Sequence, residues 1–388
     1  MNSLPNSVKI LHFGKFYPPF NGGMEIYLRD LSEQQAKTNQ VIALVHNHDF
    51  NFLTSKTISQ TIHGVDIIRQ KTLKPILFTP IMLGANRAVT KLVNQDKVDI
   101  IHIAWPNPSA LLLLFNKKAL TIPWVIQWQS DMVTKHSSFL LKLAYKFFRP
   151  FEKKLLKQAS KIIVSTKEYF KHSNALLNYK YKCEFIPLGL KPQSTTIHKH
   201  DKNWANTLWK DAKYKIYNIG RLTFYKNHQL LIKAAELLPE AQFIITGTGE
   251  LEAKLKTMVH NKSLNNIIFT GGLSNEKSNA LMSSCDAFCL PSNDRAESYG
   301  MVLLEAINFN KNILVSNLKG SGMKWITSQT NLGCTFDCDD ATDLVGKIKN
   351  LEINNPSVGD NAKQKQFKID YCAHKIDMIY QSIINHNS

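Results

Sequence analysis

No apolar run in this 388-residue chain approaches the roughly 18 residues that a membrane-spanning helix requires. The densest, Ala110–Phe115, is far too short. The opening residues, Met1-Asn2-Ser3-Leu4-Pro5, lack the basic-then-apolar pattern of a secretory signal, so the expectation is a cytosolic chain. Cysteine is scarce. Cys183, Cys285, Cys289, Cys334, Cys338 and Cys372 include two C-x3-C pairs, but no His or Cys follows at zinc spacing. Buried free thiols are therefore expected, not a metal ribbon or a disulfide framework. The dinucleotide fingerprint is missing too. Gly22-Gly23 follows Pro18-Pro19 without the G-x-G-x-x-G spacing, which argues against a nicotinamide-dependent enzyme.

Acidic residues are also few: 30 Asp+Glu stand against 48 Lys+Arg, a formal net charge of +18. The deficit is local. Through residue 200 the counts are 27 Lys+Arg and 11 Asp+Glu, a net of +16; from residue 201 they are 21 and 19, a net of +2. A basic field confined to one half points to an anionic partner: nucleic acid, an anionic bilayer or a phosphorylated substrate. A generally basic proteome or a solvated face accounts for the total better than for the asymmetry.

The length suits two domains with full-sized cores, and 44% hydrophobic with 20% charged residues is ordinary for a globular chain. Strands are expected at Val8–Phe13, Val41–His46, Asp99–Ala104, Val125–Trp128 and Lys161–Ser165, with a helix from Met24 to about Thr38. The second half repeats the alternation, with strands at Lys215–Ile219, Gln242–Thr246, Ile267–Thr270, Ala287–Leu290 and Asn312–Ser316. Alternating strands and helices mean βαβ units and parallel sheets. The expected organisation is one domain over 1–190, a polar linker over 191–213, a second domain over 214–363, and an amphipathic helix within 364–388.

The residues that carry chemistry gather in the second half. Gly220-Arg221-Leu222 follows a strand and so lies at the carboxyl edge of a sheet, where open α/β folds bind ligands. Arg221 and Lys226 suit a diphosphate, the guanidinium by paired hydrogen bonds and the ammonium as a point charge. Fixed cations there stabilise a departing diphosphate most in the transition state. Two surface cations on a turn are the plain alternative. Gly247-Thr248-Gly249-Glu250 forms a second glycine turn. Glu297 and Glu305 lie eight apart, with Ser298-Tyr299-Gly300-Met301 between them at a helix N-terminus suited to phosphate. Glu305 interrupts an otherwise apolar stretch, and a buried carboxylate there needs partners such as ribose hydroxyls. An amphipathic helix with one exposed glutamate is the plain alternative.

At these points the chain resembles retaining GT-B glycosyltransferases of the group 1, family 4 type, strongest from Gly220 to Gly322 and nearly chain-long in extent. Trp128–Lys135 and Asn317–Trp325 look most like O-antigen mannosyl- or rhamnosyltransferases. The resemblance implies two Rossmann-like domains facing a central cleft, nucleotide sugar on the second and acceptor on the first, with the last helix crossing back to the first. It implies hexosyl transfer with retention, no metal and no cofactor beyond the nucleotide sugar, with GDP-mannose as a first guess. Glu297 would hold the donor sugar, Glu305 the ribose, and Gly220, Gly247, Gly249 and Glu250 would join the donor site. The loop at Gly22 and Gly23 would face the donor phosphates and the acceptor, with Asp131 on the acceptor side. One position departs: relatives usually carry histidine where this chain has Gln129. Glutamine can bond a sugar hydroxyl but cannot take a proton. The departing phosphate is then the expected proton acceptor, with His102 and His136 as nearby alternatives.

Two further stretches need weighing. Asp337-Cys338-Asp339-Asp340 looks like a metal-binding Asp-x-Asp, but it precedes the helical stretch Ala341–Ile348, so capping is expected. Phe139 to Lys157 interleaves Leu, Phe and Tyr with Lys142, Lys146, Arg149, Lys153, Lys154 and Lys157. Such a segment reads as a membrane-surface helix, which Pro150 is expected to split in two. A domain helix with a lysine outer face is the alternative. The partners expected are a nucleotide-sugar donor, a lipid-linked glycan acceptor and an anionic membrane surface on the cytoplasmic face, and no nucleic acid. Two other classes remain: a catalytically silent sugar-nucleotide binder, which Gln129 would fit, and a nucleic-acid binder, which leaves the carboxylate pair unexplained.

Overall fold

A computed structural model describes residues 7–20, 22–49, 56–76, 79–132, 139–192, 194–351 and 364–387. The chain divides into two compact units, Met1–Lys191 with Gln366–Ser388, and Pro192–Lys365.

In the first unit the sheet runs, among the described residues and from edge to edge, Cys183–Phe185, Lys161–Val164, Trp124–Trp128, Ile100–Trp105, Lys9–Phe13, Gln40–His46, Val65–Gln70 and Ile58–Ile62. All neighbours are parallel except the last pair, which is a hairpin. The central strands are buried on both faces, as at Ile100–Trp105, so they read as continuous apolar runs without alternation. Trp105 and Trp128 stack at 5.5 Å between ring centroids inside this core. The edge strand Ile58–Ile62, in contrast, is mostly exposed and polar, and no sequence period announced it. The hairpin of Thr72–Ile76 and Thr79–Met82 was equally silent.

The final helix, Ile369–Asn387, packs on the helix Gly23–Gln35. A buried polar chain fastens it. His12 Nε2 meets Gln35 Oε1 at 2.7 Å, the Gln35 amide donates to Asp377 Oδ1 at 2.6 Å, and His102 Nδ1 meets the Tyr380 hydroxyl at 2.5 Å. Burial lowers the His12 pKa to about 4 and holds His102 well below its usual value, so both rings are neutral. His102 is thus a scaffold residue, not the proton acceptor considered from sequence. His136 lies outside the described residues.

The second unit has the strand order Ile267–Gly271, Ala241–Thr246, Tyr214–Ile219, Ala287–Leu290, Asn312–Ser316, Gly333–Phe336, all parallel. Its first strand lies in the middle, and the chain winds outward from it to one side and then to the other. That is the order of doubly wound nucleotide-binding folds, whose ligands sit beyond the carboxyl ends at the switch point. Here the switch point falls between Tyr214–Ile219 and Ala287–Leu290. The segments that follow these two strands begin at Gly220 and Pro291.

Two expectations change. The stretch read as a linker contains the helix Lys199–Trp209, which packs on Asn275–Ser284 with Trp209 fully buried and its indole donating to Ser284 at 2.8 Å. Polar residues on its outer face had masked the period. The strand at one edge of the first unit's sheet is Cys183–Phe185, and Leu190 bridges to Lys368. Phe139–Gln158 is one helix with Pro150 inside it, not two. Pro150 is exposed, so water can satisfy the backbone carbonyl it frees.

Candidate functional site

The site in the second unit is built by loops at the carboxyl edge of its sheet. Gly220-Arg221-Leu222 is pinned to the neighbouring loop by backbone bonds. Gly220 N–H donates to Thr246 O at 3.0 Å, Leu222 N–H to Thr248 O at 2.9 Å, and Leu251 N–H to Leu222 O at 3.0 Å. The two loops approach so closely that a Cβ on Gly247 would stand 2.0 Å from Gly220 O, and one on Gly249 2.4 Å from Leu222 O. Gly247 also has φ +136°, open only to glycine. These glycines therefore shape the loop that carries Arg221, and Glu250 joins it by accepting from the Thr223 hydroxyl.

Lys226 and Glu297 were read from sequence as contacts to separate parts of a donor. The structure pairs them: Lys226 Nζ stands 2.5 Å from Glu297 Oε2, with side chains only 11% and 12% exposed. Burial works against the ammonium, but Glu297 and Tyr225 together outweigh it and the Lys226 pKa stands above its usual value. Tyr225 covers the ammonium with its ring 5.7 Å away, and the Ser292 hydroxyl donates to the same carboxylate oxygen at 3.3 Å. Arg221 is exposed beside this pair, near enough for its charge to oppose that of Lys226. A cation and a carboxylate held together at a switch point can exchange each other for a ligand's phosphate and hydroxyls.

The backbone around Glu297 is braced. Glu297 N–H donates to Asp294 O at 3.0 Å, Ser321 Oγ to Glu297 O at 2.6 Å, and Gly322 N–H to Ser298 O at 2.7 Å. Arg295 Nε donates to Gly320 O at 3.2 Å. Gly300, with φ +85°, caps the helix Met301–Asn308, so the first-turn amides begin at Met301 and Ser298-Tyr299 lead into that helix N-terminus. Tyr299 itself is buried in the core. Glu305 is half-buried, not enclosed as its apolar flanks suggested, because its helix turns that edge outward. It lies close enough to Tyr217 to help burial raise that phenol's pKa.

One residue escaped the sequence reading. Asp339 Oδ1 accepts from Asn227 Nδ2 at 2.8 Å and from Asn293 Nδ2 at 2.9 Å. It ties the Lys226 loop to the Glu297 loop, which also meet where Asn293 N–H donates to Tyr225 O at 3.0 Å. The only sequence signal was its place in an acidic run after a strand. Its neighbour Asp340 caps Ala341–Lys349, accepting from the Thr342 and Asp343 amides at 2.8 and 3.0 Å.

In the first unit, Gly22 caps the helix Gly23–Gln35 just beyond the strand Lys9–Phe13. Gln129 follows the strand Trp124–Trp128; its side chain is buried and its amide nitrogen finds no partner among the described residues. Asp131 is engaged by the scaffold: Trp128 Nε1 donates to its Oδ1 at 3.1 Å and Ser173 Oγ at 2.6 Å. Along Phe139–Gln158, Lys142, Lys146, Arg149, Lys153 and Lys154 are all exposed. So are Phe139 at 82% and Phe147 at 73%, with Leu140, Leu143 and Phe148 beside them. No helix of the described residues is long and apolar enough to cross a membrane.

The family described as "Glycosyl transferases group 1" matches residues 200–368, and "Glycosyltransferase Family 4" matches residues 21–194. The O-antigen chain mannosyltransferase C of Escherichia coli is 26% identical over 379 residues, covering 95% of this chain and 96% of that protein. The D-rhamnosyltransferase WbpZ of Pseudomonas aeruginosa is 24% identical over 334 residues, covering 84% and 82%. Among solved structures, the sucrose-phosphate synthase of Thermosynechococcus elongatus superposes with a TM-score of 0.75 at 16% identity, covering 97% of this chain and 100% of that one.

Proposed function

Because this chain is a glycosyltransferase of the group 1, family 4 type with a GT-B fold, we propose that it moves a hexose, with retention, from a nucleotide sugar to a lipid-linked glycan of a surface polysaccharide. GDP-mannose is the first donor to try, given the mannosyl- and rhamnosyltransferase relatives. The observation that carries the reading is the Lys226–Glu297 pair, set beside exposed Arg221 at the switch point of a doubly wound sheet.

In this mechanism the donor diphosphate takes Arg221 and Lys226, and the amides of Ser298–Met301 add a helix N-terminus to the same charge. Glu297, released from Lys226, accepts from a hexose hydroxyl, and Glu305 from the ribose. Gly220, Gly247, Gly249 and Glu250 hold the loop shape on which this depends. The bond from the anomeric carbon to the phosphate breaks, and the acceptor oxygen bonds that carbon on the same face. The acceptor's proton passes to the departing phosphate oxygen. Gln129 needs only to orient a hydroxyl, which its buried amide suits. No metal or further cofactor takes part. The exposed aromatic and basic face of Phe139–Gln158 rests on the cytoplasmic surface of an anionic membrane, where lipid-linked acceptors reside.

The test is the stereochemistry of transfer in the presence of a chelator. A product that keeps the donor's anomeric configuration, formed at an undiminished rate with EDTA, is the expected result. An inverted product, or loss of activity on chelation, contradicts the proposal. Tight donor binding without turnover, even with membrane lipid acceptors added, would replace it with the silent-binder alternative.

A further inference from the structure

Glu152 lies on the inner face of the helix Phe139–Gln158, where that helix leaves the core. Its side chain is 98% removed from solvent, being 2% exposed. The Tyr145 hydroxyl donates to its Oε1 at 2.6 Å, while Oε2 has no partner among the described residues. Burying an unpartnered carboxylate oxygen is costly, so its retention calls for an explanation. Glu152 also lines a cavity of about 150 Å³, together with Arg149, Lys153, Asn174, Asn178 and Tyr179. A single water needs only about 15 Å³ of such space, so the cavity admits a group of several heavy atoms.

The arrangement of charge is unusual in one respect. Arg149 is three residues before Glu152 and therefore on the same helix face, near enough for its charge to act on Glu152, yet no ion pair among the described residues joins them. A buried acceptor thus sits beneath an exposed guanidinium, with Lys153 beside it. That is the complement of a zwitterion in which an ammonium and a phosphate are joined by a short spacer. Phe148 is one turn before Glu152 on this face and is 40% exposed. Burial, with help from Asp131 and against the Tyr145 hydrogen bond and the Arg149 charge, raises the Glu152 pKa to about 7, so the carboxyl resists ionising and a bound cation would favour its charge.

We propose that the Glu152 cavity binds the headgroup of an aminophospholipid, its primary ammonium on Glu152 and its phosphate on Arg149 and Lys153, with the acyl chains beside Phe148 and Phe147. This inference rests on the membrane reading above and sharpens it: the surface selects a zwitterionic headgroup in addition to attracting anionic charge. A headgroup with a quaternary ammonium cannot donate a hydrogen bond to Glu152 Oε2, so phosphatidylcholine is the natural contrast.

The experiment is sedimentation of the full chain with vesicles of phosphatidylcholine alone, with added phosphatidylethanolamine, and with added phosphatidylglycerol, for wild type and Glu152→Gln. Gln keeps the acceptor for Tyr145 and the volume, and a thermal melt verifies folding; Asn178→Leu, which adds bulk to the cavity lining, is the second variant. Wild type is expected to bind ethanolamine vesicles at least about fivefold more tightly than choline vesicles. Both variants are expected to lose that preference while keeping their response to phosphatidylglycerol. Equal binding to ethanolamine and choline vesicles overturns the headgroup site alone. So does a preference that survives in both variants, since looser lipid packing would then explain it. Binding to no vesicle at all overturns the membrane reading together with it.

Discussion

Replacing Lys226 by Met is expected to lower kcat for donor cleavage by about 10²–10³-fold, the usual loss when one fixed charge is removed from a transition state. In the proposed mechanism the ammonium exchanges Glu297 for the charge that grows on the departing diphosphate. The same change is expected to lower stability. Lys226 and Glu297 are 2.5 Å apart with about a tenth of each side chain exposed, so removing one leaves the other largely dry and unpaired. Fully buried pairs lose about 3–5 kcal/mol on such truncation. Some water reaches this pair, which makes about 1–3 kcal/mol the expected loss in a urea melt.

The double variant Lys226→Met, Glu297→Gln separates the two effects, because it removes both charges. Its stability is expected to return most of the way to wild type while its turnover stays low. Recovery of turnover would contradict the assignment of Lys226 to the leaving group. The pH dependence has a definite sign. Lys226 has a folded pKa raised above its unfolded value, so its contribution to stability is present in full below about pH 10. It is lost only as pH rises through the higher folded value.

Gly247→Ala is expected to be the most damaging single methyl addition in the second unit. Its φ of +136° is closed to alanine, and the new Cβ would stand 2.0 Å from Gly220 O. Neither loop can simply retreat. Gly220 N–H is bonded to Thr246 O and Gly247 N–H to Gly271 O, at 3.0 and 2.9 Å. Backbone strain of this kind costs about 1–3 kcal/mol before the clash is counted. The expected outcome is a loss of several kcal/mol in denaturant and no measurable donor binding, since Arg221 rides on the displaced loop. Gly271→Ala is the control: its φ is +69° but no atom lies within 4 Å of the new Cβ. It is expected to cost only about 1 kcal/mol, the ordinary price of a left-handed alanine. Equal losses in the two would mean that conformation alone, not the close approach, governs the site.

What the sequence made legible was whatever depends on neighbours along the chain. Ile100–Trp105 and Asn312–Ser316 announce buried parallel strands by unbroken apolar content, and Gly220-Arg221 after Tyr214–Ile219 announces a loop at the carboxyl edge of the sheet. What it hid depends on partners distant in sequence. Nothing local says that Lys226 will meet Glu297, or that Asp339 will join Asn227 to Asn293. His102 looked available because the Tyr380 hydroxyl that occupies it comes from the other end of the chain. The helix Lys199–Trp209 was hidden because only Ala205 and Trp209 are buried, too few contacts to set a visible period. Glu305 misled in the opposite direction: apolar flanks implied enclosure, but one position on a helix can face outward between buried neighbours.

The measurement that bears most directly on the whole account is release of nucleoside diphosphate from a panel of GDP-, UDP- and dTDP-sugars by wild type, Arg221→Ala and Glu297→Ala. The account predicts that wild type binds one donor and slowly releases its diphosphate, and that both variants lose this release by at least about 10²-fold. Failure of wild type to bind any donor, or release that persists unchanged in both variants, would contradict it.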